Sequence, residues 1–63
     1  MLLKNFLSNH PEWQYNFAVV DSTTNELLHT FKTDIVARAF SESVPGSRVI
    51  WLSKRNITDV LNN

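Results

Sequence analysis

"WQYNFAVVDSTTNELLHTFKTD", Trp13 to Asp34, changes its pattern twice, and those changes set the fold. From Trp13 to Val20 the residues alternate. Trp13, Tyr15, Phe17 and Val19 share one face, while Gln14, Asn16, Ala18 and Val20 share the other, which is the period of a strand. "DSTTN", Asp21 to Asn25, is turn chemistry, because Asp and Ser side chains bond nearby backbone and Asn tolerates a left-handed conformation. A second strand follows, with Leu27, His29 and Phe31 on one face and Leu28, Thr30 and Lys32 on the other. Thr33 then offers the hydroxyl of a helix cap, and Asp34 sets a negative charge where the helix dipole favours it.

Beyond Asp34 the period becomes helical. Ile35, Val36, Ala39, Phe40 and Val44 recur at helical spacing and are expected to face the sheet, leaving Arg38, Ser41 and Glu42 outward. Pro45 and Gly46 stop this helix. Arg48 to Ser53 predicts a third strand, with Val49 and Trp51 on one side and Ile50 and Leu52 on the other. Upstream, Leu2, Leu3, Phe6 and Leu7 form the apolar stripe of a short helix that "SNHP" ends at Pro11. The tail holds a last helical turn through Ile57, Val60 and Leu61.

This order predicts an α+β fold in one domain over residues 1–63. A hairpin followed by a right-handed helical crossover gives a three-stranded antiparallel sheet of order 2-1-3, the first strand central. The main helix packs on one face, over the aromatic row of the first strand. The opposite face carries Ala18, Val20, Leu28 and a pair from the third strand, too apolar for water. Either the N-terminal segment or a second chain is expected to cover it.

Composition bounds the function. A chain of 63 residues buries only about 60% of the surface its unfolded form exposes, so its stability is marginal. With no cysteine there is neither a disulfide framework nor a thiolate zinc site. Six basic and six acidic side chains cancel, against the strong single-sign field of a general nucleic-acid binder, a membrane-surface protein or an acidic DNA mimic. "MLLKNFLSNHPEW" has no basic leader or cleavage site, and no run is long enough to span a bilayer; a cytoplasmic location is expected.

The residues of catalysis are scattered. His10 and His29 have no second histidine or paired carboxylate at ligand spacing. Gly46 is the only glycine, so no phosphate loop exists, and no serine sits between two glycines in a nucleophile elbow. Glu12, Asp21, Glu26, Asp34, Glu42 and Asp59 occupy turns and element ends, where capping and solvation account for them. No enzyme activity, cofactor or metal is expected. "NIT" at Asn56 to Thr58 matches a glycosylation acceptor, a pattern that arises often by chance.

The surface to examine is therefore "VPGSRVIWLSKRN", Val44 to Asn56. One reading stacks a nucleic-acid base on Trp51 with Arg48, Lys54 and Arg55 on phosphates, which requires an exposed Trp51. A plainer reading buries Trp51 and leaves Lys54 and Arg55 solvating the exit of the strand. A third takes the strand as a sheet edge free to pair with a partner's strand or with a symmetry mate, which makes a homodimer an expectation. Arg38 and Glu42 on the helix complete the candidate partner-binding residues.

Hairpin, "FKTD" leading into Ala37 and Ala39, "VPGS" turn and closing strand, from Tyr15 to Lys54, resemble small bacteriophage-encoded inhibitors of host machinery. Among these are the podophage early inhibitor of bacterial RNA polymerase and compact anti-CRISPR proteins. The resemblance implies a stand-alone, non-enzymatic domain of the host cytoplasm that binds a bacterial host protein. The alternatives are a small nucleic-acid-binding regulator and a homo-oligomeric structural protein.

Overall fold

The computed structural model describes residues 1–62. The elements run α1 (Leu3–Asn9), a 3-10 turn (Pro11–Trp13), β1 (Phe17–Asp21), β2 (Leu27–Phe31), α2 (Asp34–Glu42), β3 (Ser47–Trp51) and α3 (Lys54–Leu61). The strands form one antiparallel sheet of order β2-β1-β3 with β1 central, so the α+β fold and the 2-1-3 order stand as expected. The turn chemistry stands too. Asp21 Oδ1 accepts the Thr23 and Thr24 N–H groups at 2.8 and 3.0 Å, and Asn25 adopts φ 61°. Thr33 Oγ1 accepts the Val36 N–H and caps α2. Gly46 takes φ 83° in the turn before β3, a conformation glycine reaches without steric cost.

β1 is shorter than its alternation predicts. Pro11 opens a 3-10 turn and Tyr15 lies at φ 70°, so the chain reverses before Phe17 and the alternation of Trp13 and Tyr15 with the strand is broken. Trp13 packs instead beneath the sheet near Phe6, with ring centroids 6.2 Å apart. A second departure lies in β2. Val19 pairs with His29 but Val20 with Leu27, so Leu28 is an extra residue, a bulge. The bulge reverses side-chain parity: Leu27 joins the core with Val20, and Leu28 turns into solvent rather than sharing the second face.

The second face is closed within the chain. Leu3 and Leu7 of α1 meet Ala18, Val20 and Leu52, all buried, with Phe6, Trp13, Leu27, Ile50, Ile57 and Val60 packed around them. Of the two covers expected, the N-terminal segment is the one present, and α3 is a two-turn helix that shares the task rather than a single closing turn. Burying a Leu or Val side chain is worth about 1.5–3 kcal/mol, so these residues outweigh any polar contact in the molecule. The N-terminus is tied down as well: Leu27 N–H donates to the Met1 carbonyl at 2.8 Å, and the Met1 ammonium meets Glu26 at 2.7 Å.

On the other face α2 lies over the sheet, but rotated from the expected phase. Ala37 is fully buried, with Phe40, Ser41 and Val44 half-buried, whereas Ile35, Val36 and Ala39 are exposed. The offset is about one residue, ~100° around the helix. Two anchors set it. Phe40 packs on Phe31 and His29, with ring centroids at 5.3 and 5.7 Å, and Ser41 Oγ lies 2.8 Å from Ser47 Oγ at the start of β3. The small, fully buried Ala37 on the same face lets α2 come down on β1, whose Val19 is also fully buried.

Candidate functional site

β1 begins where β2 and β3 end, since Phe17 stands between Phe31 and Trp51 in register. α2 starts just past β2, so its first turn lies at the same end of the sheet. Four large apolar side chains are left in solvent here: Tyr15 at 59% exposure, Ile35 at 72%, Val36 at 51% and Trp51 at 52%. Each has a local cause. The Tyr15 N–H donates to the Leu52 carbonyl at 2.7 Å while its own φ is left-handed, a conformation that costs a tyrosine about 1–3 kcal/mol. Trp51 closes β3, an outer strand with no neighbour on one side. Ile35 and Val36 follow from the phase of α2.

The reading that buries Trp51 is therefore corrected. Its indole is half exposed because β3 is an edge and Leu52, not Trp51, turns into the core. Lys54 and Arg55 occupy the first turn of α3, both exposed and without an ion-pair partner among the described residues. Cations at a helix N-terminus oppose the dipole by about 0.3–1 kcal/mol each, so folding does not favour them there.

The remaining expected residues lie apart from this cluster. Arg48 sits near the far end of β3, where its Nη2 donates to Asn25 Oδ1 at 3.0 Å. Arg38 is exposed on α2, 3.3 Å from Asp34 one turn earlier, and Glu42 lies in the last turn of the same helix. Arg48 and Trp51 line one hollow along β3, whereas Lys54 lines another beside Leu7, Pro11 and Gln14, so Lys54 and Arg55 follow Trp51 in the chain without being gathered against its indole. Tyr15, Ile35 and Val36 were assigned to the core by their periodicity, and no feature of the sequence distinguishes them from core residues.

The histidines are both engaged locally. His10 Nδ1 lies 3.2 Å from Glu12 Oε2 on the surface, and the Glu12 carboxyl is lowered, first by its own backbone N–H and then by His10. His29 stacks on Phe31 at 4.6 Å and donates from Nδ1 to the Thr30 carbonyl at 2.8 Å. Among the described residues no group of three His, Cys, Asp or Glu side chains is placed to hold a metal, and no helix is long and apolar enough to cross a membrane. No family model, curated protein or solved structure matches this chain.

Proposed function

We propose that this protein is a non-enzymatic protein-binding module, a phage-type inhibitor or regulator of a bacterial host complex acting in the host cytoplasm. The observation that carries the reading is the exposure of Tyr15, Ile35, Val36 and Trp51 at one end of a sheet whose own core is closed without them. Exposed apolar clusters mark interaction sites, and Trp, Tyr and Arg are the residues that concentrate binding energy at protein interfaces. Lys54 and Arg55 supply charges that steer association. Three surface hollows among the described residues, of about 220 to 320 Å³, are shallow enough to suit a docking surface.

A second reading is favoured by one observation. Trp51 is half exposed, as stacking of a single-stranded base requires, and Lys54 and Arg55 follow it in the chain. The zero net charge weighs against it. Affinity capture from bacterial lysate separates the two, using the parent, Ile35→Asp/Val36→Asp and Trp51→Ala, each checked for an unchanged melting curve. A discrete protein held by the parent and lost by both variants supports the protein-binding reading. Capture unaffected by the variants sinks it, and salt-sensitive retention of single-stranded DNA with no captured protein replaces it.

A further inference from the structure

We propose that the chain pairs with a second copy of itself along the free edge of β3, the two strands antiparallel about a two-fold axis at Val49. The pairing does not depend on the host partner proposed above. Leu52 N–H donates to the Asn16 carbonyl at 2.8 Å, and Asp21 N–H to the Glu26 carbonyl at 2.9 Å, so even-numbered residues of β1 bond toward β3 and odd-numbered ones toward β2. Hydrogen-bonded pairs alternate along an antiparallel ladder, so Ala18–Ile50 and Val20–Arg48 exchange bonds. Ser47, Val49 and Trp51 consequently turn their backbone groups out of the sheet.

Two of those six groups are satisfied within the chain. Ser47 N–H donates to the Val44 carbonyl at 3.2 Å, and the Trp51 carbonyl accepts from Asn56 Nδ2 at 2.7 Å. The Ser47 carbonyl, both Val49 groups and the Trp51 N–H remain, two donors and two acceptors with no partner among the described residues. About a two-fold axis at Val49 these complete one another. The two Val49 residues exchange both bonds, and each Trp51 N–H meets the Ser47 carbonyl of the other copy. The bonds that would come next in the ladder need Ser47 N–H and the Trp51 carbonyl, the two groups already used.

The side chains permit the approach. Val49 would stand beside its own copy, Trp51 opposite the small Ser47, and Arg48 opposite Ile50 rather than a like charge. Asn25 holds the Arg48 guanidinium back across the sheet. A groove of about 320 Å³ runs along β3 beside Asn56 and Asp59 of α3, which leaves the edge open. Zero net charge adds no long-range repulsion. The other edge is less open, since Met1 pairs with the start of β2 and His29 occupies the Thr30 carbonyl. The result is a six-stranded sheet with both α2 helices on one side, so that two copies of the exposed helix face point the same way.

Solution mass measured over a concentration series, with residue-resolved amide exchange at both ends of it, tests the pairing. The expected result is a mass rising to twice that of the chain, with the Val49 and Trp51 amides exchanging at least about tenfold slower when concentrated, while the outward Thr30 amide is unchanged. Val49→Pro removes an N–H that faces away from the sheet, a change edge strands tolerate, and should stay at chain mass with a parental circular dichroism spectrum. A chain that stays monomeric up to its solubility limit overturns the proposal. So does a dimer with unprotected Val49 and Trp51 amides, or a folded Val49→Pro protein that still dimerises. If Val49→Pro fails to fold, amide exchange in the parent decides.

Discussion

Asn56 donates from Nδ2 to the main-chain carbonyl of Trp51 at 2.7 Å, so the first turn of α3 reaches back and caps the last acceptor on the free edge of β3. The same residue's N–H is held by Ser53 Oγ at 3.1 Å, which fixes where α3 starts. Asn56→Ala leaves the Trp51 carbonyl to water and should cost about 0.5–1.5 kcal/mol. In a domain of this size that lowers the midpoint by roughly 2–12 °C. Thermal melting of parent and variant measures it, and an unchanged midpoint would mean the contact contributes nothing.

The phase of α2 makes opposite predictions for two of its apolar residues. Phe40 packs on Phe31 and His29, so Phe40→Ala should cost about 3 kcal/mol, the low end for a phenylalanine because it is half-buried. Ile35 points into solvent, and Ile35→Ser should stay within about 0.5 kcal/mol of the parent. Urea denaturation of the two variants reports which face is buried; equal losses would restore the phase expected from periodicity.

Removing Met1 to Leu7 deletes the buried Leu3 and Leu7 and uncovers Ala18, Val20 and Leu52. Truncating one buried leucine costs about 2–5 kcal/mol, and a domain this small has only about 3–9 kcal/mol in total. The deletion should lose its cooperative melting transition and bind a hydrophobic dye. A deletion protein that melts as the parent does contradicts the packing of α1.

Acid should weaken the hairpin turn. The Asp21 carboxyl is held below its usual value by the Thr24 backbone N–H first and then that of Thr23. Its folded pKa lies below the unfolded one, so its stabilisation is fully present above the unfolded value, about pH 4, and is lost as pH falls through the folded value. Asp21→Asn keeps an acceptor oxygen but cannot titrate, so its melting temperature should fall less steeply across that window. Parallel slopes for parent and variant would exclude Asp21 as a source of acid sensitivity.

Local chemistry was legible without the structure. The "DSTTN" turn, the Thr33 cap and the switch of period at Thr33 each depend on a few adjacent residues and each is where it was expected, while α2 ends at Glu42, before the Val44 that the pattern had included. Strand order followed from the handedness of the crossover. Of the candidate surface, Arg38, Glu42, Lys54 and Arg55 were legible because charged side chains seek water whatever the fold.

What the sequence determined by itself is an α+β chain of three strands in the order 2-1-3, closed on one face by a capped helix. What only tertiary structure decided is the parity and phase of those elements: the bulge at Leu28, the left-handed Tyr15, the ~100° rotation of α2 and the half-exposed Trp51. Periodicity reports that a face is apolar but not which neighbour it meets. Here Ser47 beneath Ser41, Phe31 beneath Phe40 and the Leu52 carbonyl beside Tyr15 choose among nearly equivalent faces. Those contacts join residues from 6 to 37 positions apart, so no local pattern can carry them.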